Sequence, residues 1–339
     1  MNNNEKLKKF FRSKNSTLII LLAIMTLFFW IFSPNHSFLS IRNLTSIANS
    51  MTITAFFVIA EALLILMGEL DLSPGYIGTA SGALMASLLA NTALPWFVVV
   101  VICLIFGICF GLLNGLLVNK FKFQSFIATL AVGSFVAKGF SYIVCNGKAV
   151  GIKNPAIVWI GTKKIASIFP VAIFFSIIAM VIYGIILAKT KFGNSIYICG
   201  ANREASRLAG LKPKKVSYIL FANSGMLGAI GGMLYAARLL SGNLDGTNSY
   251  AFPAITAAVL GGVTFGGGSG SIFGCFLGLL IISGFNNGLL IMGLSPYWIN
   301  VASGLLLLLA LSADYLANRR AGGGKIGKPR RLKLTRVEE

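Results

Sequence analysis

The chain has one histidine, His36, and nine acidic residues among 339. A single histidine excludes a His-rich metal centre and a His-dependent nucleophile. The five cysteines (Cys103, Cys109, Cys145, Cys199 and Cys275) lack metal-ligand spacing and lie mostly in apolar runs. They read as packing residues. There is no G-x-x-x-x-G-K-[ST] element, and no lysine occurs between Lys215 and Lys325. The glycines of 266–270 are therefore no phosphate loop, and the chain does not hydrolyse ATP by that route. No small-residue cleavage site follows the apolar stretch 17–32, which reads as an uncleaved first span.

Apolar surface is abundant instead. Hydrophobic residues make up 56% of the chain, charged ones 11%, and the mean hydropathy is +0.82. Runs of about 20 apolar residues recur, as a bilayer core about 30 Å thick demands. Runs of that length exclude a transmembrane barrel. The sequence predicts an all-α integral membrane protein with about ten spans. They fall at 17–33, 44–67, 75–91, 95–118, 124–145, 167–188, 216–238, 252–265, 272–292 and 297–313. The helix must break near 68–75, because Gly68, Glu69, Asp71, Pro74 and Gly75 cannot make a lipid-facing helix. A second broken region is expected at 242–270. Basic tails at 1–16 and 315–339 flank a transmembrane domain at 17–314, and the second tail is expected to be disordered. The net charge of +20 is no nucleic-acid signature. On a ten-span topology roughly three quarters of the Lys and Arg fall on one side, which places both termini in the cytoplasm against an anionic leaflet.

Two short patterns repeat. Gly68-Glu69-Leu70-Asp71 recurs as Gly242-Asn243-Leu244-Asp245, and Asn114-Gly115-Leu116-Leu117 as Asn287-Gly288-Leu289-Leu290. Five spans separate the copies, so they read as an inverted repeat, a transporter signature. Glycines spaced by four (Gly228 and Gly232; Gly262 through Gly278) predict close helix packing.

The longest charged stretch between apolar segments is the loop 189–215. Asn202 suits an N-cap, 203–209 is helix-tolerant, Gly210 suits the left-handed stop and Pro213 prevents a restart. The predicted helix is about 12 Å long. It would not be stable alone in water, so a partner is expected to hold it. Ala205, Leu208 and Ala209 share one face, Arg203 and Arg207 another.

Buried polar groups are few. Glu61 lies in the second span, where a charge costs about 2.5–3.5 kcal/mol on insertion scales, so it should face protein or a wet cavity. Asn49, Asn114, Gln124, Asn223, Asn286 and Asn287 offer amides to a hydroxylated solute or, equally, to neighbouring helices. The pathway candidates are Glu61, Asp71, Ser73, Asn114, Gln124, Asn286 and Asn287.

These motifs together resemble the permease subunits of bacterial ATP-binding-cassette importers of the ribose/xylose/galactose type. Gly68-Glu69-Leu70-Asp71-Leu72-Ser73-Pro74-Gly75 looks like that family's G-G-I-D-L-S-V-G, with departures at Glu69 and Pro74. Phe126-Ile127-Ala128-Thr129-Leu130, Asn146-Gly147, Thr190-Lys191-Phe192-Gly193, Ala257-Ala258-Val259-Leu260-Gly261-Gly262 and Asn286-Asn287-Gly288 also match. The resemblance runs over nearly all of 40–315. It implies that Asn202, Arg203, Glu204, Ala205, Ser206, Arg207, Leu208 and Gly210 form the coupling helix, which docks into a separate ATPase subunit. The family motif there is E-A-A-x-x-x-G, and Ser206 replaces its second alanine. It further implies a second permease copy or paralogue, an extracytoplasmic sugar-binding protein, and a multi-pass place in the bacterial inner membrane. ATP and magnesium would belong to the partner, this chain holding no cofactor and carrying out no covalent chemistry. The rival readings are an H⁺- or Na⁺-coupled transporter using Glu61 and Asp71, and a membrane enzyme, which would need convergent acids, His or Cys in the membrane.

Overall fold

The computed structural model describes residues 14–165 and 169–321. Most of the two predicted tails lies outside the described residues. Thirteen helices are named here in chain order: α1 (Lys14–Phe32), α2 (Ile41–Leu66), α3 (Pro74–Asn91), α4 (Trp96–Asn119), α5 (Ser125–Val144), α6 (Pro155–Thr162), α7 (Ile173–Lys189), α8 (Lys191–Ala201), α9 (Arg203–Leu208), α10 (Pro213–Leu239), α11 (Ala251–Leu260), α12 (Ile272–Ile291) and α13 (Pro296–Ala321). Only two small ribbons interrupt the helices among the described residues. Val150–Gly151 pairs antiparallel with Ser241–Gly242, and Lys164–Ile165 with Phe169–Pro170.

Six helices (α1, α2, α4, α5, α10 and α12) are long and apolar enough to cross a membrane, or seven if α7 and α8, bent by 73°, count as one span. The ten expected stretches each hold a helix, but not each is a simple span. At ten residues α11 is about 15 Å long, half a bilayer core. In α3, Gly, Ser, Thr and Asn dilute the hydropathy. Most of its first two-thirds is buried against protein. The loop expected at 146–166 contains α6, whose N-cap Asn154 accepts from Ala156 N and Ile157 N. Beyond the expected boundary at 314, α13 continues to Ala321.

The core is built around α2. Every residue from 51 to 67 is buried, so this helix is apolar all round because protein surrounds it all round. Against it lies α10, which also packs on α3 and α4. Glycine makes those crossings close. A Cβ on Gly232 would stand 1.9 Å from Gly78 O, and one on Gly225 2.0 Å from Gly107 O. The spacing of Gly228 and Gly232 thus performs the packing it predicts. The run from Gly262 to Gly278 divides differently. Gly274 and Gly278 pack on α11, whereas Gly262 and Gly270 lie in the loop between α11 and α12. That loop caps the end of α2: Gly268 N donates to Leu66 O at 2.8 Å.

Candidate functional site

Between α2 and α3 the backbone over 69–73 is neither helix nor strand, and several of its polar groups bond to the surrounding helices. Leu70 N donates to Ser125 Oγ (3.2 Å) and Leu72 N to Thr129 Oγ1 (3.0 Å), both on α5. Asp71 accepts from Ser73 N (2.8 Å) and Ser73 Oγ (2.6 Å) at one oxygen, and from Ser224 Oγ on α10 (2.8 Å) at the other. This Asx turn sets up the start of α3 at Pro74. Asn114 Nδ2 on α4 donates to Ser73 Oγ (2.7 Å). Unwound backbone is tolerated in a membrane only where protein or a cavity satisfies it. Here Ser125 and Thr129 of α5 accept from two of its backbone N–H groups, while α4 and α10 hold its side chains.

Glu69 extends that network to α9 and the start of α10. Its Oε2 accepts from Ser217 Oγ (2.7 Å), which in turn accepts from Asn119 Nδ2 (2.7 Å). Its Oε1 pairs with Arg203 Nη2, on α9. Asn202 caps α9 by accepting from Glu204 N (3.0 Å) and Ala205 N (2.9 Å). The helix closes as a Schellman motif: Leu211 N donates to Ser206 O, Gly210 N to Arg207 O, and Gly210 has φ +80°. The cap and stop read from the sequence are both present. The apolar stripe does not pack on this chain, since Ala205 and Ala209 are exposed and Leu208 is 91% exposed. Ser206 is the buried contact, its hydroxyl donating to Arg203 O (2.8 Å).

A second unwound segment, 240–250, joins α10 to α11 and meets the first near the start of α3. Thr247 Oγ1 donates to Gly75 O (2.7 Å), Thr247 N to Thr79 Oγ1 (2.8 Å), and Thr79 Oγ1 to Asn248 Oδ1 (2.8 Å). Beside this junction lies a cavity of about 500 Å³ between α3, α11 and α13. Tyr76, Asn248, Ser249, Phe252, Thr256 and Ser303 contribute to its wall. A smaller cavity of about 220 Å³ shares Ser249 and adds Ser50, Thr54, Ser283 and Asn286.

The pathway candidates are dispersed. Asp71, Ser73 and Asn114 are fully buried in one hydrogen-bonded network, in which Asn114 Oδ1 has no partner among the described residues. Glu61 is also fully buried, and neither carboxylate oxygen has a hydrogen-bond partner among the described residues. Asn286 lines the smaller cavity and accepts from Ser303 Oγ (2.9 Å). Asn287 instead bonds its own helix at Ser283 O, and Gln124 is exposed at the head of α5. The residues not singled out are Tyr76, Asn248 and Phe252 in the wall of the large cavity, Thr79 and Thr247 at the junction beside it, and Ser217 and Asn119 next to Glu69. Thr247 and Asn248 sit inside the second predicted break, but only the contact with α3 distinguishes them.

The family model for the permease component of branched-chain amino acid transport systems matches residues 43–311. The chain belongs to this permease family. Among its relatives, the ribose import permease protein of Haemophilus influenzae is 33% identical over 308 residues, covering 89% of this chain and 93% of the relative. A probable ABC transporter permease protein of Escherichia coli is 32% identical over 319 residues (94% and 95%). The L-arabinose transport system permease protein of Escherichia coli is 31% identical over 305 residues (88% and 89%). The permease is thus a multi-pass transport subunit of the ATP-binding-cassette importer class, and its unwound segments lie inside the family match.

Proposed function

We propose that this permease carries a neutral sugar, a pentose or hexose such as ribose, into a bacterial cell through the inner membrane. It works with a separate ATPase, an external binding protein, and a second copy or close paralogue. Both termini and α9 face the cytoplasm, and the ten helical stretches form two inverted halves. Both copies of the G-x-L-D pattern follow a long helix and precede the next one, which supports that reading.

The wall of the large cavity supports a sugar over an amino acid. It has two aromatic rings, amide and hydroxyl groups, and no charged side chain. Hydroxyls and an amide suit a polyhydroxylated ring, and aromatic faces suit its C–H surface. A zwitterion would leave two charges there without a charged partner.

The observation that carries the ATPase assignment is α9, a capped two-turn helix offering Leu208 to solvent and tied by Arg203 to Glu69. An apolar knob on a short rigid helix is a helix-in-groove ligand. Movement of a docked α9 would pull on Glu69, and through it on the segment holding Asp71. That biases the inward/outward equilibrium of a two-state transporter. The test is gentle co-purification followed by sugar uptake in vesicles. A bound ATPase and ATP-dependent uptake are expected. Gly210→Val, which forces a side chain onto φ +80°, and Glu204→Lys should abolish uptake while the protein still inserts. Full uptake by both variants, or uptake by the chain alone without ATP, would overturn the assignment.

A further inference from the structure

A polar pocket of about 280 Å³ opens beside α9, between the α4–α5 turn and the start of α10. Lys122, Arg203, Arg207 and Lys214 line it. The single acid in its wall is Glu69, which Arg203 and Ser217 already engage. No ion pair involves Lys122, Arg207 or Lys214 among the described residues. Three uncompensated cations around one small volume repel one another, and an anion would relieve that repulsion.

We propose that this pocket binds the phosphate of an acidic phospholipid from the cytoplasmic leaflet. The leaflet assignment rests on the orientation proposed above; the phosphate chemistry does not. Phosphate offers several acceptor oxygens to a guanidinium fork and to ammonium groups at once. The turn that carries Lys122 is built rather than loose. Phe121 N and Phe123 N donate back to Leu116 O and Leu117 O on α4, and Lys122 holds φ +62°, an uncommon state for a residue with a side chain. The rim favours a lipid over a free anion. Phe121 and Phe123 are each 54% exposed on either side of Lys122, and Ile127 continues the apolar surface along α5. A phosphate in the pocket would leave acyl chains against those side chains, with the basic residues at headgroup depth.

The test uses the full chain in nanodiscs of mixed phosphatidylcholine and phosphatidylglycerol, released for native mass spectrometry, with no ATPase present. Retained phosphatidylglycerol is expected on the wild type. It should fall at least about tenfold in the triple variant Lys122→Gln, Arg207→Gln, Lys214→Gln, since each cation near the surface contributes about a factor of five. A variant with the same charge loss in the tail, Lys325→Gln, Lys328→Gln, Lys333→Gln, should retain the lipid. Equal retention by the pocket variant, or equal loss by the tail variant, overturns the proposal. Amine-reactive labelling of Lys122 separates the sources. Protection by phosphatidylglycerol vesicles but not by inorganic phosphate supports a lipid. Equal protection by inorganic phosphate overturns the lipid assignment and leaves a soluble-anion site. A purified ATPase subunit that displaces all retained lipid would make the pocket a protein contact and also overturn the proposal. Because lipid retention is read without transport, it can fail while the importer reading stands, and the reverse.

Discussion

Asp71 and Asp245 end the same four-residue pattern, yet Asp71 is 0% exposed and the Asp245 side chain 74% exposed. Asp71 is held by Ser73 and by Ser224 of α10. Asp245 pairs with Lys138 at 2.9 Å, an exposed ion pair of little energetic weight. Both segments leave a long helix and lead into another, so the local rule that breaks the backbone is shared. Their neighbours differ. The first is enclosed by α4, α5, α9 and α10, and its side-chain hydrogen bonds fix it to one of them or to itself. The second rests on α3 and borders the open cavity beside α13. One break is a strap inside the protein, and the other is a wall facing space.

The largest expected effect comes from the crossing that holds the two breaks together. Gly232→Val would place a side chain against Gly78 O. It should destabilise by about 3 kcal/mol or more, read as loss of the monodisperse peak in detergent. Asp71→Ala strands the donors of Ser73 and Ser224 in the interior and should cost about 3 kcal/mol, seen as a lowered unfolding midpoint. Asp245→Ala should stay within about 0.5 kcal/mol. Equal costs for the two aspartates would break the comparison. Next is the link to α9. Glu69→Gln keeps the Ser217 contact but loses the charge facing Arg203, and uptake should fall about fivefold. Arg203→Gln in that background should add nothing, whereas additive losses would mean that the pair does not act as a unit. The smallest effect belongs to the cavity wall. Phe252→Ala should raise the KM for uptake about threefold without altering stability. An unchanged KM would move the solute path away from this cavity.

Much of this architecture is legible from residues alone where the cause is local. Asn202 and Gly210 bracket α9 because capping and left-handed backbone are decided within a few residues. Gly68 to Gly75 announces a break because no helix in lipid accommodates that composition. The spacing of Gly228 and Gly232 announces close packing, although its partners, Gly78 and Pro74, appear only in three dimensions. The site is less legible. Asp71, Ser73 and Asn114 are polar residues in apolar surroundings, and sequence cannot tell a residue that faces a path from one that closes a network. The glycine run from 262 to 278 looks periodic, yet the chain leaves the helix at Gly261, and glycine's freedom is used there to reach the end of α2.

The sequence by itself determined the class: an apolar chain with basic connections, two helix breaks and one exposed two-turn helix. Composition, capping and charge asymmetry are properties of neighbouring residues or of the whole chain, and they need no partner in space. Tertiary structure decided which break is sealed and which borders a cavity. It also decided that Glu69, distant in sequence from both, stands between Arg203 and Ser217. Those outcomes depend on which helix faces which, and that is fixed by packing between segments 41 to 153 residues apart rather than by any local preference.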